Sequence, residues 1–334
     1  MITEKFSGCH IKNASELLLQ KYLKDREKNN FFGFNTFNRE IPEKSIEKIF
    51  NDKYSAGYCV FDENRNMLAY ILGSFIKDED GERIGWIHYG GYALKEGENP
   101  EIMRYLYSLL GDHWISWAVF NHYVMIPENS EIYRDIFLRL SFSYQQVHGY
   151  IDLSEYENTL KNTDGKTEIR SATLSETEDV EFLSGNTMKY QTGRPVWIYD
   201  FPEIYQELRE GYSELISKKD TEVLIAYKNN KPVGITGFWK EINDVNNFFI
   251  PENSVYLAVA STIESERKKG ISSLLFYNMI ESLKKQNYRF LTTNWRITNL
   301  LSSVHWPSKG FIPFMYRFHR NIDQRVIYTK INRE

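Results

Sequence analysis

Apolar positions along this chain fall into short β-type runs separated by polar turns, and the same succession occurs twice. In the first half, residues 57–61 and 67–75 flank the polar stretch Asp62-Glu63-Asn64-Arg65-Asn66, the pattern of a hairpin. In the second half, residues 223–227 and 233–239 flank Lys228-Asn229-Asn230-Lys231-Pro232, where Asn and Pro supply the turn chemistry. A third apolar run follows each hairpin, residues 84–94 in one half and 255–262 in the other, and a polar loop then leads into a segment of helical period. Each half closes on an Asn, a helical stretch and a Phe that opens a new strand: Asn129 with Leu140-Ser141-Phe142, and Asn299 with Lys309-Gly310-Phe311. Any two α+β domains would show hairpins and helices, but the matched order predicts two copies of one plan, residues 1–157 and 158–334. The polar stretch 155–166, which contains Asn162-Thr163-Asp164-Gly165, is the predicted linker.

Residues 257–272 carry the most chemistry. A strand ends near Ser261 and Thr262, the basic turn Arg267-Lys268-Lys269-Gly270 follows, and a helix-period run begins with Ile271-Ser272. In that run Leu274, Leu275, Asn278, Met279 and Leu283 recur at three- and four-residue spacing, so one face can pack on a sheet while the N-terminus stays open. A helix N-terminus exposes unpaired N–H groups and a partial positive charge, and Gly270 permits close approach of a bulky anion. Taken alone, a basic turn with one Gly reads as the solvated start of a surface helix.

Its setting alters that reading. Arg267-Lys268-Lys269-Gly270-Ile271-Ser272 resembles the (Gln/Arg)-x-x-Gly-x-(Gly/Ala) signature of the GNAT acyltransferases, and it sits between a strand and a helix as that family requires. Residues 288–293 resemble the family's next strand, 299–308 its next helix, Gly310-Phe311 its Gly-Phe, and 317–320 and 326–331 its closing strands. The resemblance covers residues 168–334. It implies an α/β fold of two GNAT-like domains, each a mixed, mostly antiparallel twisted sheet flanked by helices. It also implies acetyl-CoA as co-substrate, with the pyrophosphate on the backbone amides of the loop and the pantetheine arm along the strand. By that resemblance Ser261, Thr262, Arg267, Lys268, Lys269, Gly270, Ile271, Ser272 and Asn299 are the cofactor-binding residues. Two positions depart from the family: Ser272 replaces Gly or Ala, and the seventh residue after Asn299 is Trp306 where many members carry an acidic Tyr. An indole N–H does not release its proton at neutral pH.

Acyl transfer to an amine needs a neutral nucleophile, whereas a free alkylamine with a pKa of about 10.4 is mostly protonated at neutral pH. The strand 255–262 contains no acidic residue, so the nearest candidate bases are Glu241, Asp244 and Glu252, of which Glu241 is preferred. Tyr316 and His305 are the candidate acids, and a backbone N–H near Thr262 is the candidate oxyanion donor.

In the first copy the loop position reads Leu94-Lys95-Glu96-Gly97-Glu98-Asn99-Pro100, whose glutamates would repel pyrophosphate. The first copy is therefore expected to be degenerate, a structural partner or a wall of the acceptor cleft, with Trp86, Tyr89, Tyr92, Trp114 and Trp117 facing that cleft or packing on the sheet. The acidic run Asp78-Glu79-Asp80-Gly81-Glu82 reads as a solvated turn. With 41 Lys+Arg against 45 Asp+Glu the net charge is −4, so no global positive field favours nucleic acid. Cys9 and Cys59 stand in no metal or disulfide spacing, the seven histidines are scattered, and no run approaches the length of a membrane span. A cytoplasmic monomer or homodimer without metal or membrane partner is expected. Three functions are in view: acetyl transfer to a primary amine of a small molecule or peptide, a non-catalytic acyl-CoA-binding module, and a Fem-like aminoacyl or peptidyl transferase.

Overall fold

The computed structural model describes residues 1–34, 38–77, 81–159, 166–198, 202–241 and 244–331. The chain divides into unit 1, Met1–Val147 with Asn243–Pro251 and Pro313–Glu334, and unit 2, His148–Ile242 with Glu252–Ile312.

Unit 1 begins with β1 (Ile2–Lys5), α1 (Ile11–Lys28), α2 (Asn30–Gly33), α3 (Ile41–Phe50), β2 (Ser55–Phe61), β3 (Met67–Lys77), β4 (Arg83–Ile87) and β5 (Tyr92–Leu94). It continues with α4 (Glu101–Ser116), β6 (Asn121–Pro127), α5 (Glu131–Arg139) and the first part of β7 (Ser143–Asp152). β2 and β3 form the first predicted hairpin; the Asp62 carboxylate accepts the Asn64 and Asn66 amides at 2.9 and 2.8 Å and shapes its turn. The predicted run 84–94 is two strands, because the chain turns at Tyr89–Gly91 and β5 crosses to pair with β3. α4 buries Ile102, Met103, Leu106, Tyr107, Leu110 and Trp114 on the sheet. Trp114 lies over Gly73 and Gly85 and is fully buried, so it is a core side chain, while Trp117 is exposed.

Unit 2 contains β8 (Thr167–Ser171), α6 (Thr177–Thr192), α7 (Pro202–Glu214), β9 (Thr221–Lys228), β10 (Lys231–Lys240), β11 (Ser254–Thr262), α8 (Ile271–Lys285), β12 (Phe290–Arg296) and α9 (Leu300–Ser308). The second predicted hairpin is β9 and β10. Asn229 and Asn230 take φ of 52° and 58°, the left-handed pair that a two-residue turn between right-twisted strands requires. Strands lie in the order β12-β11-β10-β9-β8, antiparallel except for the parallel pair β11 and β12. α8 buries Ile271, Leu275, Phe276, Met279, Ile280 and Leu283, each worth about 1.5–3 kcal/mol of transfer free energy when fully covered. Its inward face is thus turned slightly from the predicted one, leaving Leu274 and Asn278 half-buried. Gly234 lets helix and strand approach, since a methyl there would lie 3.0 Å from Leu275 and 3.1 Å from Ile271.

The chain ends in β13 (Ile312–Asn321) and α10 (Val326–Ile331). Two expectations change here. The segment 326–331 is helical and not a strand; Asp323 accepts the Arg325 amide at 2.9 Å and starts a helix. β13 falls almost wholly in unit 1, where it pairs antiparallel with β6 from Met315↔Pro127 to Asn321↔Asn121 and sends Phe318 into the core. Unit 1's sheet order is therefore β1-β2-β3-β4-β6-β13, with β4 and β6 its parallel pair. The start of the predicted linker lies on α8, where Asn158 donates to the Tyr277 carbonyl and Lys284 donates to that of Tyr156. Residues 160–165 of that linker and Asp78, Glu79 and Asp80 lie outside the described residues. Among the described residues no helix is long and apolar enough to cross a membrane.

Candidate functional site

β11 and β12 keep parallel register only from Ser254↔Phe290 to Tyr256↔Thr292, although they continue to Thr262 and Arg296. A last tie is the Thr293 hydroxyl, which donates to the Leu257 carbonyl at 3.2 Å. On its other side β11 follows β10 throughout, with one irregularity: Gly237 faces Val259 and Phe238 faces Leu257, so Ala258 has no counterpart. Such a bulge adds twist and bends the strand, consistent with its turning away from β12. The parting opens a cleft of about 600 Å³ whose walls are the free edge of β11, Thr293 and Asn294 of β12, Tyr190 and Gln191 of α6, Tyr212 of α7, and His305, Trp306 and Lys309 near α9.

At one end of the cleft the chain leaves β11 and enters α8. Gly270 is the N-cap at φ 86° with no side-chain cap, so the first-turn amides of α8 remain open. An L side chain in that conformation costs about 1–2 kcal/mol, which is why Gly is found there. Lys268 also takes positive φ, 61°. The Arg267 guanidinium lies 3.8 Å over the Tyr190 ring and donates to the Thr262 carbonyl at 3.3 Å. Lys269 is bridged to Glu266 at 3.1 Å, which also binds Lys228 at 3.1 Å; these two ammoniums, Lys228 foremost, hold the Glu266 carboxyl below its ordinary range. Arg267, Lys268 and Lys309 line the cleft, and none of them is in a salt bridge among the described residues. This end is electropositive.

The predicted residues separate accordingly. Ser261, Thr262, Arg267, Lys268, Gly270, Ile271, Ser272, Asn299 and His305 line one cleft; Lys269 does not. The Asn299 Oδ1 accepts the Leu301 and Ser302 amides at 3.1 Å each, which makes it the N-cap of α9. His305 Nε2 lies 3.3 Å from the Ser272 hydroxyl. Burial, with Lys309 close by, brings the His305 imidazole down to about 4, so at neutral pH it is uncharged and is no imidazolium donor. Tyr316 belongs to unit 1, where its ring meets Tyr144 edge-on at 5.1 Å, and it does not line the cleft. Glu241 is not on the lining either. It sits where the strands part: its Oε1 accepts the Thr292 hydroxyl at 2.9 Å, and burial raises its carboxyl above the ordinary range. Asp244 is ion-paired with Lys48 at 2.6 Å within unit 1. Trp306 packs on Phe311 at 5.4 Å.

Sequence reasoning missed Tyr190, Tyr212, Tyr256, Asn294 and Lys309. Tyr256 and Asn294 carried a faint signal, as polar-tipped residues in otherwise apolar strands; the helical tyrosines carried none. Among the described residues no three His, Cys, Asp or Glu side chains are placed to hold a metal ion.

Unit 1 has the same parting with a different filling. β4 and β6 run parallel from Ile84↔Asn121 to Ile87↔Val124, after which β5 pairs with β3 instead. The Tyr92 hydroxyl crosses to the Met125 carbonyl at 2.7 Å, and the Tyr133 hydroxyl accepts the Leu94 amide at 2.9 Å. Between these rings lies Lys21 of α1, its ammonium 3.2 Å from the Tyr89 ring centroid and 4.6 Å from that of Tyr92. Asp25 balances it at 3.7 Å and accepts the Tyr89 and Ser130 hydroxyls at 2.8 Å each. In the loop that follows, Glu96 pairs with Lys24 at 2.5 Å.

No protein-family model matches the sequence, and no curated protein matches it significantly. Solved structures do match. A GCN5-related N-acetyltransferase from Sphaerobacter thermophilus aligns with a TM-score of 0.59 over 96% of this chain and 95% of its own, at 11% identity. The chain has the GNAT fold. The glucosamine N-acetyltransferase region of a fungal multi-domain GH3 beta-N-acetylglucosaminidase aligns at TM-score 0.58 and 11% identity, over 95% of this chain and 38% of that one. A tandem GNAT protein from the clavulanic acid biosynthesis pathway aligns at TM-score 0.54 and 9% identity, over 96% and 98% of the two chains. Both units lie within these alignments, and each shows the GNAT fold's mixed, mostly antiparallel sheet flanked by helices.

Proposed function

We propose that unit 2 binds acetyl-CoA and transfers its acetyl group directly to a primary amine of a small molecule or peptide. The observation that carries this reading is the parting of β11 from β12 after Tyr256↔Thr292, which leads to the uncapped N-terminus of α8. The open amides from Gly270 to Ser272, with Arg267 and Lys268, suit a pyrophosphate. Ile271 contributes its amide, since its side chain is buried. The free edge of β11 suits the amide-bearing pantetheine arm, which can pair with it as an added strand. Lys309 joins the donor set in this reading and Lys269 leaves it.

In the transfer, the neutral amine attacks the thioester carbon, the C–S bond breaks, sulfur leaves as thiolate, and the nitrogen gives up a proton. Main-chain N–H groups along the edge of β11 that parts from β12, near Ala258, suit the developing oxyanion. Glu241 is the proton acceptor retained: it stands off the lining on the Thr292 hydroxyl where the strands part, so the proton reaches it through water, and burial makes it a stronger base than a surface glutamate. Unit 1 acts as a structural partner without coenzyme, its opening already filled by Lys21 and Asp25.

Calorimetry with acetyl-CoA, followed by thiol-release assays over an amine panel, tests the reading. One site per chain and turnover with at least one amine is the expected result; absence of acetyl-CoA binding refutes it. Trp306 and the neutral His305 favour a second reading, an acyl-CoA-binding module, which saturable binding without turnover on any amine would support.

A further inference from the structure

The geometry points to Tyr256 and Asn294 as the pair that limits the length of the acyl group this cleft accepts; the inference rests on the acyl-CoA reading above. β11 and β12 part after Tyr256↔Thr292, and beside the Thr293 hydroxyl's tie to the Leu257 carbonyl the gap is bridged from side chain to side chain by Asn294 Nδ2 donating to the Tyr256 hydroxyl at 2.5 Å. Both residues line the cleft at the end away from the α8 N-terminus. The Tyr256 ring is backed by Trp239 at 5.1 Å, so it has a neighbour to hold it in place.

The distance along β11 decides where the acyl group falls. From phosphate oxygen to sulfur the pantetheine arm is about thirteen chain atoms, the length of about four extended residues. An arm that starts beside Thr262 at the loop and follows the strand brings its sulfur abreast of Ala258, the residue left unmatched by β10. Two residues further the path meets the Tyr256–Asn294 bridge. An acetyl or propionyl group fits in the remaining step of strand, whereas a longer chain runs into the bridge and its Trp239 backing.

The test needs no knowledge of the acceptor. The intact protein is titrated calorimetrically with CoA, acetyl-CoA, butyryl-CoA, hexanoyl-CoA and octanoyl-CoA, and each affinity is divided by that for CoA in the same variant. The wild type should lose about tenfold or more between acetyl and hexanoyl, a size usual for excess methylenes in a closed pocket. Tyr256→Ala should bring the hexanoyl ratio to within about threefold of the acetyl ratio, and Asn294→Ala, which removes the bridge but leaves the ring on the strand, should recover part of it. A flat wild-type profile, or variants that keep the wild-type profile, overturns the inference while leaving the donor site standing. Failure of the wild type to bind CoA or acetyl-CoA overturns the donor site itself, and the length limit with it.

Discussion

Lys268 and Lys269 are adjacent in sequence, and the structure predicts that reversing their charges has very different effects. Lys268 lines the cleft with no salt bridge among the described residues, whereas Lys269 is held by Glu266 and does not line it. Both are exposed, so the interaction of either with a bound phosphate is governed by a nearly aqueous dielectric. A unit charge pair at about 4 Å is then worth about 1 kcal/mol, and Lys268→Glu both removes that attraction and replaces it with repulsion. The sum, about 2 kcal/mol, corresponds to a roughly thirtyfold weaker acetyl-CoA affinity. Lys269→Glu places its charge off the cleft lining and exposed to solvent, where screening leaves less than about a threefold change. The substituted Glu inherits the positive φ of Lys268 and bears the same backbone cost as the Lys, so stability should not change. Calorimetry at low and at physiological ionic strength measures both variants, and the Lys268→Glu loss should shrink as salt rises. Equal losses in the two variants, or a larger one for Lys269→Glu, would refute the assignment of this turn as the phosphate site.

Gly270→Ala should cost about 1–2 kcal/mol in denaturant unfolding and weaken acetyl-CoA about tenfold or more, because the methyl is strained and stands where the anion approaches; unchanged affinity would count against it. Asn299→Ala should destabilise the protein by about 1 kcal/mol through loss of the α9 cap, read from the chemical denaturation midpoint. Glu241→Gln should lower turnover about a hundredfold with acetyl-CoA affinity preserved, and loss of affinity with turnover per bound coenzyme intact would exclude it as the base. Burial depresses the Lys21 ammonium from 10.5 to about 7, so between about pH 7 and 10 the unfolded chain holds the extra proton and wild-type stability rises with pH relative to Lys21→Met. Below about pH 7 the difference between the two should be flat as far as this group is concerned, and a difference flat through pH 10 would show that Lys21 stays charged in the fold.

Much of the fold was legible because hairpins announce themselves locally. Both predicted hairpins formed, and the strand, basic turn and helix around Gly270 appeared in order, since alternation, turn residues and a Gly before a periodic helix all act within a few residues. What was not legible depended on partners distant in sequence. The resemblance marks 317–320 as a strand but does not say that β6 is its partner, so nothing local reveals that Tyr316 lies in unit 1. The run 326–331 suits a strand by composition, yet it is a helix that follows a turn in which Asp323 accepts the Arg325 amide. Lys269 is equivalent to Lys268 in the sequence pattern, and only the fold pairs it with Glu266. Tyr190 and Tyr212 reach the cleft from helices whose sequences carry no mark of it.

The two openings explain how one order of strands can leave one open cleft and one filled core. Each arises where a parallel strand pair separates, after Ile87↔Val124 in unit 1 and after Tyr256↔Thr292 in unit 2. Separation leaves main-chain groups without partners, and buried groups of that kind are costly unless something supplies donors and acceptors. Unit 1 meets the demand from within: the Tyr92 hydroxyl donates to the Met125 carbonyl, the Tyr133 hydroxyl accepts the Leu94 amide, and Lys21 donates to the Tyr89 carbonyl. Its cation is then balanced by Asp25, so the assembly is closed in both hydrogen bonds and charge. Unit 2 places small side chains, Ala258 and Ala260, on the corresponding edge and lines the cleft with Arg267, Lys268 and Lys309, none of them in a salt bridge among the described residues, while the Glu266 carboxylate on the same lining is held by Lys228 and Lys269. On the proposed reading, a ligand that brings amides to the strand and an anion to the helix would complete this edge. On the same reading unit 1, which already contains its own filling, leaves a coenzyme nothing to complete, so two units that share a fold can differ in whether the gap is used.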